Sequence, residues 1–142
     1  MKWSAPGFLL AGLAWFAGVA LAADNATDIQ KLQGAWTVVS ALVDGEKSER
    51  WPKTILTIDG YKLTLRHEER SDESHFFKLT QNRKPKQIDI LGGDEVVSGI
   101  YAVDGNTLKL CFQKENKGGR PEQFSSTEAN ERTYVIFQRK KR

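Results

Sequence analysis

The chain is poor in the residues that staple or specialise small proteins. It has one cysteine, Cys111, so no internal disulfide can form and stability has to come from the core. It has two histidines, His67 and His75, and no Gly-x-Ser-x-Gly elbow. Nucleophilic and metal chemistry therefore have little to build on. Charge of either sign is not in marked excess: 21 basic against 18 acidic residues leave +3, which does not call for a nucleic-acid partner. The longest apolar run, residues 8–21, is shorter than the roughly 20 residues that span a bilayer comfortably. Internal repeats and low-complexity tracts are lacking. Beyond residue 34, so are helix-period patterns.

That apolar run reads as the core of a signal peptide over residues 1–22. Lys2 supplies the positive start, and Ala20 and Ala22 supply the small residues that a signal peptidase accepts. Cleavage after Ala22 is expected, with an uncleaved anchor as the alternative. The cleavage point has no cysteine to carry a lipid. The mature chain, residues 23–142, is one domain's worth of sequence and is expected in an extracytoplasmic compartment, periplasmic or secreted. Its basic end, Arg139-Lys140-Lys141-Arg142, reads first as a solvated tail and second as a contact for anionic lipid or polymer.

What is present is a series of short runs rich in Val, Ile, Leu, Thr, Tyr and Phe, divided by Asp-Gly and Gly-Gly turns. One helical turn precedes them, with Thr27 and Gln30 as a capping box and Gly34 to end it. The runs predict eight strands over 35–43, 54–58, 61–67, 75–80, 87–91, 96–103, 107–113 and 132–138. In the third, Tyr61, Leu63 and Leu65 alternate with Lys62, Thr64 and Arg66; in the seventh, Leu108, Leu110 and Phe112 share a face. Such alternation belongs to an antiparallel sheet with one wet face. Asp59-Gly60, Gly92-Gly93-Asp94 and Asp104-Gly105-Asn106 are tight-turn sequences that make sequence neighbours into spatial neighbours. Eight meandering strands with one apolar face close into a barrel or leave two exposed edges. The expected fold is all-β: a small, mostly antiparallel, eight-stranded up-and-down barrel with a short N-terminal helical turn.

Gly34-x-Trp36 on the first strand, after a short helical turn, resembles the signature of the lipocalins and their wider barrel relatives. That resemblance implies that Trp36 plugs one end of the barrel. It also implies that a basic residue flanking the last strand, Arg132 or Arg139, lies across the indole by cation–π stacking. A wider match resembles a family of uncharacterised secreted, lipocalin-like domains abundant in planctomycete bacteria. It rests on Leu32-Gln33-Gly34-Ala35-Trp36-Thr37-Val38-Val39-Ser40, Val43-Asp44-Gly45 and Lys84-Pro85-Lys86-Gln87-Ile88-Asp89, on the run from Gly99 to Phe112, and on the run from Arg120 to Ser126. This second resemblance implies the fold and brings no activity with it.

The residues expected to face inward are Trp36, Val38, Leu42, Leu56, Ile58, Tyr61, Leu63, Leu65, Phe77, Leu79, Leu108, Leu110 and Phe112. They suit an apolar guest and self-filling equally, and the short chain favours a nearly filled interior. Trp51, at the entrance to the second strand, can grip a ligand or cap the core. The leading expectation is a secreted or periplasmic non-catalytic module that binds a small apolar or amphipathic ligand at the barrel mouth. Trp51, Tyr61, Phe77 and Tyr101 are its candidate contacts. The alternative is an extracytoplasmic interaction or scaffold domain with a filled core. It would act through its outer face and the long 114–131 loop, anchored by Arg120 and Phe124.

The charged segment from His67 to His75 holds both histidines among carboxylates, but its spacing matches no established zinc site, and it reads as a solvated hairpin tip. Ser125 and Ser126 read as turn residues, and Cys111 as a small buried hydrophobe. No catalytic constellation converges, no metal ligand set is assigned and no cofactor is implied.

Overall fold

The computed structural model describes residues 28–113 and 119–141. The expected signal peptide and its cleavage point lie outside these residues. So do residues 114–118 of the long loop and the last residue of the basic tail. A short helix occupies 28–32. The strands that follow are β1 (Gly34–Val43), β2 (Glu46–Lys47), β3 (Thr54–Asp59), β4 (Lys62–His67), β5 (Glu73–Thr80), β6 (Gln87–Gly92), β7 (Glu95–Asp104), β8 (Thr107–Gln113) and β9 (Arg132–Arg139). A single 3-10 turn, Trp51–Lys53, leads into β3, with Pro52 in its first turn, where a missing N–H costs nothing. Among the described residues no helix is long and apolar enough to cross a membrane.

The eight long strands form a closed antiparallel barrel in meander order, and the two-residue β2 is an extra strand on β1. Closure comes from β1 pairing with both β3 and β9, the latter from Trp36↔Arg139 to Val43↔Thr133. The expected hairpins are in place. Gly60 and Gly93 sit at φ 62°, the left-handed region that two-residue turns demand and that glycine adopts without strain.

Two inward expectations are corrected. A register shift between Val38 and Ser40 in the β1–β9 ladder places an extra residue on β1, and side-chain alternation changes phase there. Ala41, opposite Val135, is therefore buried in place of Leu42, which lies opposite Tyr134. Tyr61 falls in the β3–β4 turn rather than on a strand and is 55% exposed.

The register divides the barrel into two ends. At one lie the start of β1, the β3–β4 and β7–β8 turns, the β5–β6 connection and the end of β9. At the other lie β2, the 3-10 turn, the β4–β5 and β6–β7 connections and the β8–β9 loop.

The first end is closed. Trp36 is fully buried, and its indole N–H donates to the Leu32 carbonyl at 2.8 Å. The Arg139 guanidinium lies over the ring, 4.3 Å from its centroid, and donates to the Gln33 carbonyl at 2.7 Å. Gly34, at φ 112°, brings the backbone close beneath that guanidinium. The Gln33 side chain holds the β3–β4 turn by exchanging two hydrogen bonds with Gly60. Of the two candidate arginines, Arg139 packs on Trp36. Arg132 is at the opposite end of β9, with its Nε donating to Gln113 at 3.2 Å.

Candidate functional site

The second end contains the candidate site. A cavity of about 310 Å³ opens there, with a mainly apolar wall. Its floor is built from the inward positions of successive strands: Leu56 on β3, Leu63 and Leu65 on β4, Leu110 and Phe112 on β8, and Phe137 on β9. Each of these strands alternates because its other face meets water or the long loop, so the floor follows from the period-two pattern. Trp51 stands at the rim, its ring edge-on to Phe112 and Phe137 with centroids 6.2 and 6.3 Å away. The 3-10 turn that carries it is tied back by the Trp51 N–H donating to Ser48 Oγ.

The same inward stripes turn polar at the mouth. On β4 the series Leu63, Leu65 ends at His67; on β5 Phe77 is preceded by His75 and Glu73. These groups converge. His67 Nε2 is 3.1 Å from one Glu73 oxygen, and His75 Nε2 is 3.7 Å from the other. Arg70 approaches the first oxygen at 3.5 Å. On its far side, His67 Nδ1 meets the buried Thr54 hydroxyl at 3.4 Å. The His67 side chain is only 8% exposed, whereas Glu73 is 43% exposed. Gly92 faces His75 from β6, where an added Cβ would meet the imidazole ring at 3.6 Å and the Glu95 carbonyl at 4.0 Å. Arg50 completes the rim. Its side chain has no ion pair or hydrogen bond among the described residues. Chemically the site is an apolar well with a polar collar, and the carboxylate in the collar is already shared between two imidazoles and a guanidinium. Among the described residues no group of three or more His, Cys, Asp or Glu side chains is arranged to hold a metal ion.

Of the four aromatics expected at the mouth, Trp51 alone lines the cavity. Phe77 and Tyr101 are packed in the core at 2% and 1% exposure. Tyr61 is in the β3–β4 turn at the closed end, with its ring 5.8 Å from that of Phe77. The collar residues Arg50 and Gly92 and the wall residues Ile90, Val97 and Phe137 were not among the sequence candidates, and Glu73 lies in the charged segment from His67 to His75, which the sequence presents as a solvated hairpin tip. The alternation of β6 and β9 carries the signal for Ile90 and Phe137. Nothing in the sequence alone brings Glu73 to His67.

The long loop belongs to the outside of the barrel. Residues 119–131 lie over the outer face of β7, β8 and β9. Arg120 reaches the carbonyls of Ile88 and Gly99 and forms a 2.6 Å ion pair with Asp89. Phe124 packs on Tyr134 with centroids 5.8 Å apart. Ser126 Oγ accepts from the Gly45 N–H and donates to the Arg132 carbonyl, which binds the loop to the β1–β2 turn. Cys111 is fully buried beneath it, with its thiol near the carbonyls of Gln123 and Ser125. Burial pushes the thiol above its usual pKa, the opposite of what a nucleophile needs. Arg120 and Phe124 thus make their contacts with the barrel's own wall.

The chain was compared with family models, curated proteins and solved structures, and it matches none of them.

Proposed function

We propose that the mature chain is a secreted or periplasmic, non-catalytic module that binds a small apolar or amphipathic molecule in the open end of the barrel. One observation carries the reading: the well opposite Trp36, apolar at its floor and polar at its collar. Its volume of about 310 Å³ stands at the lower end of the roughly 300–1,000 Å³ common for ligand sites. The guest is therefore compact. Its apolar body would lie against Leu56, Leu63, Leu65, Leu110, Phe112 and Phe137, with Trp51 as a flat lid at one side. Its polar atom would remain at the collar, within reach of Arg50 and His75. The scaffold reading has less to work with, since the intended anchors of the loop are engaged by the barrel itself.

The test is native mass spectrometry, with solvent extraction, of protein purified without detergent. It should be run on wild type and on Leu65→Trp, which fills the well. A co-purifying small molecule that is present in wild type and lost in Leu65→Trp is the expected result. Gly92→Leu, which narrows the mouth from another strand, should behave likewise. Wild type that releases no small molecule and takes up no apolar probe would remove the proposal.

A further inference from the structure

The charges are not evenly shared between the two ends of the barrel. Around the open end, Glu46, Glu49, Glu68, Glu69, Asp72, Asp94, Glu95 and Glu128 are exposed and outnumber the exposed Lys47, Arg50, Lys53, Arg66 and Arg70 among them. Around the closed end the exposed charges are Lys62 beside the β3–β4 turn, Arg83 and Lys84 in the β5–β6 connection, and Lys140 and Lys141 after β9. Asp59, Asp104 and Glu122, which lines a groove with Arg83 and Lys84, oppose them. None of these five cations takes part in an ion pair among the described residues. Arg139, the other strong cation here, is held over Trp36.

We infer that the closed end is a docking face for an anionic lipid bilayer. Two observations favour a bilayer over a charged polymer strand. The cations sit on three separate segments spaced around the ring of strands, as suits a flat charged surface more than a linear chain. Tyr61, 55% exposed, stands beside Lys62 at the tip of the β3–β4 turn. Tyrosine there offers an apolar ring with a polar tip, the combination favoured at a membrane–water interface. Docked so, the barrel would present the open well away from the bilayer.

The test is sedimentation of the mature chain, residues 23–142, with vesicles of phosphatidylcholine alone and of phosphatidylcholine mixed with phosphatidylglycerol. The difference between the two vesicle types isolates the contribution of the charges. A basic residue near such a surface contributes roughly fivefold in partitioning. The triple variant Lys62→Glu/Lys140→Glu/Lys141→Glu should therefore lose about a hundredfold on the anionic vesicles and nothing on the neutral ones. These side chains are exposed, and an unchanged melting temperature will show that the fold is retained. Lys47→Glu/Lys53→Glu, at the open end, should leave binding to the anionic vesicles within about twofold of wild type, because charges held more than a Debye length away are screened.

Three results would overturn the inference. One is equal partitioning of wild type onto both vesicle types. Another is equal loss in the two charge-reversed variants, which would reduce the effect to net charge. The third is a preference for soluble heparin over the anionic vesicles. That preference would point instead to the side groove where Arg83, Lys84 and Arg120 stand with Glu122.

Discussion

The two ends of this barrel are made from the same alternating strands and solve opposite problems. At the closed end a single large side chain fills the space. Trp36 is fully buried, satisfied at its N–H and covered by a cation from the neighbouring strand. At the open end the corresponding inward positions hold leucines, a phenylalanine pair and then polar groups, which leaves room. One end is finished by the chain itself. The other is left for something else to finish. Stability should therefore be concentrated at Trp36 and be nearly indifferent to the well, and substitutions at the two ends test that division directly.

The largest effect is expected for Trp36→Ala. Removing a fully buried indole costs about 3–5 kcal/mol, and here it also strands the Leu32 carbonyl and the guanidinium that covered the ring. Chemical denaturation should show a loss of that size, enough to unfold a marginal domain. If the loss is under about 1 kcal/mol, the closed end is not the keystone and the comparison fails.

Arg139→Gln sharpens the same end. It removes the cation–π contact and the hydrogen bond to Gln33 while keeping a polar side chain of similar reach. Contacts of this kind, partly desolvated, are worth about 2 kcal/mol together. Arg132→Gln, whose partner is the Gln113 side chain at the other end of β9, should cost clearly less. Equal losses would mean that stacking on the indole adds nothing.

The open end should respond differently. Overpacking costs about 1–3 kcal/mol where a core is full. Leu65→Trp places its extra volume into an open well, so its midpoint of thermal unfolding should stay within that of a change of about 1 kcal/mol. A large destabilisation would mean that the well is tighter in solution than its walls imply.

How much of this was legible in the sequence depends on which force sets each feature. The strands and their turns were legible because one face is apolar: Leu63 and Leu65, or Leu108 and Leu110, declare their own period, and Gly60 marks a backbone that only glycine adopts easily. The closing role of Gly34 and Trp36 was legible by resemblance, while the choice of Arg139 over Arg132 needed the β1–β9 register. Leu42 was misplaced because a one-residue bulge leaves no mark in composition yet inverts alternation beyond it. Glu73 and Ser74 looked like loop because a strand's polar end at a barrel mouth has no apolar partner to reveal it. The collar joins residues whose only relation is tertiary, Thr54, His67, Glu73 and His75. Likewise, the long loop's course depends on Arg120 finding Asp89 and two carbonyls across the wall.

The smallest effect concerns whether the open end is open anywhere except its mouth. Cys111 lies on β8 between Leu110 and Phe112, which line the well, but its own side chain is sealed on the outside under residues 119–131. Burial raises its pKa, against the lowering effects of the Ser125 hydrogen bond and nearby Arg132. In the unfolded chain the thiol ionises at its ordinary value near 9.0; in the folded chain it keeps its proton to higher pH. Above that ordinary value the unfolded state binds fewer protons than the native one, so this contribution to stability is intact at neutral pH and is lost as pH rises through the folded pKa. Tyr134, raised by its own burial and then by proximity to Cys111, acts in the same sense. Thermal melts should thus fall off above about pH 9, and Cys111→Ala should flatten part of that decline while leaving the neutral-pH melt nearly unchanged. Iodoacetamide should modify Cys111 in the native protein only at the slow rate of local opening, and filling the well with Leu65→Trp should not alter that rate. If alkylation is fast and responds to Leu65→Trp, the thiol is reached through the well. The wall under the long loop would then be a second opening, and the contrast between a finished end and an open one would have to become a contrast between a finished end and a porous half.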